Sequence, residues 1–276
     1  MKPRERQTIL VTGGAGFIGS NLASRLAERG CRVRVLDSLA REGVERNLEW
    51  LTRTHGDLIQ PFVADVRSPA RLDAAVRGVD AVFHLAAQVA VTTSLDDPRE
   101  DLEVNVLGTF NLLEALRARR PHAPVIFAST NKVYGSLDDL ALRPGAAGYR
   151  PVAPELVRHG VSEARPLDFH TPYGCSKGAA EQYVLDYARS YGMPAAVLRM
   201  SCIYGERQMG TEDQGWVAHF LIRALAGQPI TVFGDGEQVR DVCDVADTCA
   251  AYIALLERID RVSGRAFNWG GGPANA

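Results

Sequence analysis

The sequence predicts an α/β fold, a doubly wound parallel sheet with a smaller C-terminal lobe interleaved with its end. Three observations predict it. An apolar run, Thr8-Ile9-Leu10-Val11-Thr12, stops at a glycine cluster and passes straight into an amphipathic segment. Apolar runs of strand length then alternate with segments of helical period, the order that gives parallel strands joined by right-handed crossovers. One run, Asp80-Ala81-Val82-Phe83-His84-Leu85-Ala86-Ala87, is apolar almost throughout, as a strand covered on both faces must be.

The first strand ends in Gly13-Gly14-Ala15-Gly16-Phe17-Ile18-Gly19, and Leu22, Leu26 and Ala27 follow at helical spacing. The turn reads as G-x-G-x-x-G (Gly14, Gly16, Gly19) or as G-x-x-G-x-x-G (Gly13, Gly16, Gly19). In either frame one glycine permits the sharp turn, one lets backbone approach a pyrophosphate, and one lets helix pack on strand. The N–H groups and the positive end of the helix dipole then hold the phosphates. A bound dinucleotide is expected. The second strand, Cys31 to Asp37, ends in an acid. It lies about 20 residues beyond the glycines, where a carboxylate accepts hydrogen bonds from an adenosine ribose. A carboxylate there repels a 2′-phosphate, which favours NAD over NADP.

Pro61 to Val66 reads as the third strand, with Asp65 placed either to reach the adenine or to cap a helix starting near Pro69. His84, in the fourth strand, reads as a core histidine with a satisfied ring. A helix is predicted over Arg99–Arg119 from the spacing of Leu102, Val106, Phe110, Leu113 and Leu116. Val125–Ser129 is the fifth strand. From Ser136 to Thr171 the chain carries Gly, Pro and charge without periodicity; a connection that long is expected to cover a site. A helix over Pro172–Tyr191 and a strand over Ala195–Arg199 follow. Next come a helix over Trp216–Ala226, a short strand over Ile230–Phe233, a turn at Gly234-Asp235-Gly236 and a helix over Asp244–Leu256. The expected division is a dinucleotide-binding domain over 1–198, rejoined by 240–262, and a substrate lobe over 199–239 and 263–276. Phe267–Gly272 starts like a strand with no evident partner, an odd place for a fold to end.

Composition bounds the partners. Lys and Arg number 31 against 33 Asp and Glu, a formal net charge of −2, so neither nucleic acid nor an anionic membrane is indicated. No stretch approaches the roughly 20 apolar residues of a membrane span, and Met1 to Arg6 is no signal peptide. The five cysteines (Cys31, Cys175, Cys202, Cys243, Cys249) are scattered and form no C-x-x-C pair. They read as reduced thiols of a cytoplasmic protein, with no metal site.

The chemistry centres on Tyr173-Gly174-Cys175-Ser176-Lys177, which sets a phenol and an amine at i and i+4 on one helix face. Tyrosine titrates near pH 10 when unperturbed. A neighbouring ammonium, with a positive nicotinamide, stabilises the phenolate and makes Tyr173 a usable general acid and base. Lysine is informative here, because the chain holds only Lys2, Lys132 and Lys177. Thr130, at the C-terminal end of the fifth strand, lies on the sheet edge where such folds bind ligands, and its hydroxyl can bond a reacting alcohol.

TGGAGFIGSNLA, the strand ending in Asp37, HLAAQ, Thr130 ahead of Val133-Tyr134-Gly135, YGCSK and Gln238-Val239-Arg240-Asp241 together resemble the extended short-chain dehydrogenase/reductase family. These are the nucleotide-sugar epimerases and dehydratases on a Rossmann sheet, and the resemblance covers the whole chain. It implies NAD contacts at Gly13, Gly16, Phe17, Ile18, Gly19, Asp37, Asp65 and Val66. Further contacts fall at Leu85, Ala86, Ala87, Asn105 and Ser129, and at Tyr173 and Lys177. It implies catalysis by Thr130, Tyr173 and Lys177, and a homodimer or homotetramer. In the interface two helices, Arg99–Arg119 and Pro172–Tyr191, pair across a two-fold axis through residues such as Leu113, Ala180, Val184 and Tyr187.

Four stretches are similar to the CDP-paratose 2-epimerases within that family: Gln88–Ser94, Ser129–Gly135, Leu167–His170 and Gly205–Trp216. The substrate implied is a CDP-linked deoxyhexose whose C2 is inverted through a 2-keto sugar. Contacts are implied at Gln88, Thr130, Asn131, Lys132, Cys202 and Gln208, with Arg207 and Arg240 nominated for its pyrophosphate. Two departures matter. The 4,6-dehydratases carry Asp-Glu where this chain has Asn131-Lys132, so elimination of water lacks its acid and base. Many 4-epimerases carry Asn at the position of Cys202, and a thiol is a poor partner for a phosphate oxygen. A 4-epimerase of UDP- or dTDP-hexoses with the same triad stays open. A non-catalytic nucleotide-binding protein would be expected to break the triad, which is intact.

Overall fold

In the computed structural model, residues 6–119, 121–145 and 148–272 are described. Seven parallel strands form one sheet: β1 (Thr8–Thr12), β2 (Arg32–Asp37), β3 (Ile59–Val63), β4 (Ala81–His84), β5 (Val125–Thr130), β8 (Ala195–Met200) and β11 (Arg265–Trp269). Their order is β11-β8-β5-β4-β1-β2-β3. Direction of winding reverses between β1 and β4, the crevice where such sheets receive a ligand. Two apolar layers, one on each face, bury the central strands β1, β4, β5 and β8, while the edge strands β3 and β11 stay partly exposed. Ile9, Val11, Phe83 and Ile126 face one layer, and Leu10, Val82, Val125 and Phe127 the other.

Helix α1 (Phe17–Glu28) presents Leu22, Ala23, Leu26 and Ala27 to the first layer and packs beside α10 (Val245–Glu257) and α2 (Val44–His55). Helix α2 lies outside the elements expected from the sequence; Val44, Asn47 and Leu51 are its buried residues. On the other face α8 (Thr171–Tyr191) lies against β5, β8 and α6 (Gly108–Arg117), and the short α4 (Val91–Asp96) packs on it. The helix predicted over Arg99–Arg119 is divided. It comprises α5 (Pro98–Leu102), a π-helical turn over Glu103–Leu107 and α6. Wide turns of this kind recur at functional sites, and this one carries Asn105.

Several expectations change. Ile230–Phe233 forms no strand: Val232 and Phe233 are exposed and no edge is offered to them among the described residues. Phe267–Gly272 does find a partner, because Arg265–Trp269 pairs in parallel with β8; its segment belongs to the main sheet. The 136–171 segment forms a hairpin of β6 (Leu142–Gly145) and β7 (Gly148–Pro151), then α7 (Pro154–His159). It packs toward the 235–239 turn and β11, with Tyr149 donating to Asp235 at 3.1 Å and Asn268 donating to Val161 O at 2.8 Å. Leu113, Ala180, Val184 and Tyr187, expected across a two-fold axis, are buried in this chain's own core. A small parallel pair, β9 (Cys202–Tyr204) with β10 (Val242–Asp244), is joined by a connection that carries α9 (Trp216–Leu225). No helix among the described residues is long and apolar enough to cross a membrane.

Candidate active site

At the C-terminal edge of the sheet a cavity of about 590 Å³ runs from the glycine turn to the start of α8. Its floor explains the glycines. Gly13 has φ +66°, and a Cβ on it would sit 2.7 Å from Ala86 N; on Gly19 it would sit 2.1 Å from Gly13 O. Neither position admits a side chain. Gly13, Gly16 and Gly19 line the cavity, whereas Gly14 packs beneath it, where a Cβ would meet Val11 O at 2.8 Å. The G-x-x-G-x-x-G frame is therefore the one that faces a ligand. No side chain caps α1 at Gly16, so the first-turn N–H groups remain available to an anion.

Asp37 is aimed by backbone: Oδ2 accepts from Ala15 N–H at 3.0 Å and Oδ1 from Leu39 N–H at 2.9 Å. Asp65 lines the same end of the cavity, but its carboxylate is held by Arg67 through Nη2 at 2.6 Å and the backbone N–H at 2.8 Å. Those bonds hold its carboxyl below the ordinary range. Helix α3 (Pro69–Ala75) starts at Ser68, so Asp65 does not cap it. His84 is the satisfied core histidine expected. Thr109 Oγ1 donates to Asn105 O at 2.6 Å and so accepts from Nε2–H at 3.0 Å, leaving Nδ1 to accept from Thr12 Oγ1 at 2.6 Å. Burial depresses its pKa to about 3, so it stays neutral.

At the other end β5 and α8 bring Thr130, Tyr173 and Lys177 together. Helix α8 opens with His170 as cap and Thr171 at φ +62°, a left-handed conformation that is costly for a β-branched residue. Thr171 Oγ1 accepts from Gly174 N–H at 3.3 Å, and Ser94 Oγ, on α4, from Tyr173 N–H at 3.2 Å. These bonds fix the first turn on which Tyr173 rides. Thr130 stands beside the Tyr173 phenol, its Oγ1 accepting from Lys132 N–H at 3.2 Å. Lys177 stands over the Phe127 ring, 4.3 Å from its centroid.

The electrostatics differ from expectation. Burial dominates both groups, pushing Tyr173 up to about 12 and Lys177 down to about 7. Thr130 is the neighbour that lowers Tyr173, in place of the expected lysine. The protein alone therefore holds a neutral phenol beside a readily deprotonated amine, and the site needs further positive charge before the phenol ionises.

All the expected site residues but two line this one cavity. Asn105 lies beneath it, its carboxamide engaged by Gln88 N–H (2.9 Å), Gln88 O (3.1 Å) and Ser176 Oγ (2.9 Å). Arg207 faces away. Its guanidinium lies 4.0 Å from the Trp50 ring centroid and bonds Asn21 Oδ1 at 2.5 Å and Glu206 at 2.9 Å. It is not placed to meet a substrate pyrophosphate, whereas Arg240 and Lys132 are at the cavity wall.

Sequence reasoning marked the Gly205–Trp216 stretch but named neither Arg41 nor any site residue from Met209 to Trp216. Arg41 Nη1 donates to Gln214 at 2.5 Å and Nη2 to Met209 O at 2.9 Å, which straps that loop along the cavity beside Glu212, Asp213 and Trp216. An arginine four residues beyond Asp37 was the available signal. This loop lines the cavity in place of the 136–171 segment. Among the described residues no cluster could hold a metal.

Residues 9–270 match the model of the NAD dependent epimerase/dehydratase family. The chain is 43% identical to the CDP-paratose 2-epimerase of Salmonella typhi, over 97% of this chain and 80% of that one. Identity to the UDP-glucose 4-epimerase of Mycolicibacterium smegmatis is 34%, over 88% and 71%. The fold superposes on the Thermus thermophilus UDP-glucose 4-epimerase solved with NAD, with a TM-score of 0.77 at 34% identity, over 96% of this chain and 78% of that one. The glycine cradle that admits no Cβ and the uncapped helix above it suit the diphosphate of that cofactor. The chain belongs to the NAD dependent epimerase/dehydratase family, and its cofactor is NAD.

Proposed function

We propose that this chain is an NAD-dependent nucleotide-sugar epimerase that inverts C2 of a CDP-linked deoxyhexose through a transient 2-keto sugar. The observation that carries it is the 43% identity to a CDP-paratose 2-epimerase over nearly the whole chain, with Thr130, Tyr173 and Lys177 meeting on one cavity. When bound, NAD+ accepts a hydride from the sugar carbon and returns it, and its positive ring favours ionisation of the nearby phenol. Tyr173 takes the C2 hydroxyl proton at Oη and later gives it back. Thr130 orients that hydroxyl and shares its hydrogen bond. Lys177 holds the nicotinamide ribose and, as an ammonium, stabilises the phenolate.

Inversion needs the keto sugar to present its other face, so the nucleotide must be gripped away from the reacting carbon. Arg240 and Lys132 supply charge for that grip, which a solvated guanidinium or ammonium gives a diphosphate. Asn131 and Lys132 replace a carboxylate pair, so the wall beside Thr130 has no acid to expel water. In this reading the sheet through 198, with 240–262, binds the cofactor, and 199–239 binds the sugar nucleotide in a cytoplasmic enzyme. Incubation with CDP-, UDP- and dTDP-hexoses, read by NMR, tests it. Inversion confined to C2 of a CDP-sugar is expected; inversion at C4 of a UDP- or dTDP-sugar overturns it.

The active form in this reading is a homo-oligomer. Leu102, Leu107 and Phe110 on α5–α6 and Tyr183 and Tyr191 on α8 are exposed, and Phe110 and Tyr183 stack edge to face with centroids 6.0 Å apart. They form the apolar stripe that a two-fold four-helix interface needs. Light scattering at micromolar concentration should give a dimer or larger, and a monomer there contradicts this assignment.

A further inference from the structure

Arg207 does not meet the cavity, yet several unusual contacts converge on it. Its backbone is left-handed, at φ +66°, a conformation uncommon away from glycine. Its guanidinium covers the Trp50 ring of α2 and donates to Asn21 of α1. Two buried asparagines complete the contact. Asn21 Nδ2 donates to Phe17 O and to Glu206 O, both at 2.9 Å. Asn47 Nδ2, from α2, donates to Ala15 O at 3.0 Å and to Arg207 O at 3.3 Å. Each carboxamide thus ties one carbonyl of the glycine turn to one carbonyl of the loop after β9. Asparagine suits this task because its NH2 carries two hydrogens, where a carboxylate carries none.

A second fastening lies further along the same loop. Arg41, beyond the end of β2, holds Gln214 Oε1 and Met209 O. Met209 also packs on Gly43, where a Cβ would stand 3.4 Å from its Cγ. Gln208, Glu212, Asp213 and Gln214 line the cavity, whereas Asn21, Asn47 and Arg207 stand behind its wall. That wall therefore hangs on side chains of the cofactor-binding half.

We propose that Arg207 and Arg41 are positioning residues, two clasps that hold the 206–214 loop against the glycine turn and the end of β2. The loop must be unclasped for NAD to leave, and clasped for a sugar nucleotide to be gripped. The proposal rests on the reading of this cavity as the shared site of NAD and a sugar nucleotide. Thr130, Tyr173 and Lys177 stand on β5 and α8, and none of these bonds reaches them. Loosening the loop should therefore weaken binding more than it slows the chemical step.

Release of radiolabelled NAD from the NAD-loaded protein into excess unlabelled NAD tests the clasps with no sugar present. Arg207→Ala should speed release by about tenfold or more, because lost contacts fall mainly on the off-rate. Arg207 does not line the cavity, so this gain is not a lost contact with the cofactor. A residue serving stability alone would lower the denaturant midpoint and leave release from the folded protein unchanged; that result overturns the clasp. Should Arg207→Ala fail to fold, the exposed Arg41 carries the test. Arg41→Met should also speed release, and much less so once Gln214→Leu has cut the same clasp. Independent effects of those two substitutions would overturn the proposal. In turnover of whichever sugar nucleotide the enzyme accepts, Arg207→Ala should raise KM by a larger factor than it lowers kcat; the reverse contradicts the grip. NAD release needs no turnover, so the clasps stand or fall independently of whether the enzyme proves to be a C2 epimerase.

Discussion

Tyr173→Phe is expected to leave NAD and sugar nucleotide bound nearly as before while turnover falls by about 10²–10⁴-fold, the worth of a positioned acid and base. Only a hydroxyl is lost. The ring stays packed in a buried site, and Thr130 keeps its contact with Lys132 N–H at 3.2 Å. Stability should change by no more than about 1.5 kcal/mol, the net value of one hydrogen bond. Calorimetric binding with stopped turnover is the expected pattern. A variant retaining more than a tenth of the rate would remove Tyr173 from the proton transfer.

Arg199→Met is expected to act on stability instead. Arg199 and Glu181 are 5% and 0% exposed as side chains, and the pair is closed by Ser129 and by Tyr134, whose hydroxyl accepts from Nη1 at 2.6 Å. Tyr134 in turn donates to Asn268 on β11 at 2.8 Å. Truncating the arginine strands a buried carboxylate, which costs about 3–5 kcal/mol, about a fifth or more of a typical domain's stability of about 5–15 kcal/mol. Adding Glu181→Gln removes the stranded charge and should recover most of the loss. Denaturant midpoints of the two variants test this. A double variant no more stable than Arg199→Met would show that the deficit is one of packing.

The sheet and the glycine turn were legible because their causes are local. A strand covered on both faces must be apolar, and a backbone that touches Ala86 and Gly13 O tolerates only glycine. Tyr173 and Lys177 were legible because four residues make one helical turn. Features set by distant partners were not. Strand β11 depends on β8, 60 and more residues earlier. Arg207 looks like any loop arginine until the fold sets Trp50 under it. The depressed Lys177 and raised Tyr173 come from burial, which spacing along one helix does not reveal.

The central claim is that hydride leaves and returns at C2 with Tyr173 handling the proton. A CDP-hexose deuterated at C2, incubated with the NAD-loaded enzyme and followed by NMR, tests it most directly. Product inverted at C2 with deuterium still on C2 is the result predicted, because the hydride never meets solvent. Deuterium lost to water, inversion at C4, or loss of water from the sugar would each contradict it.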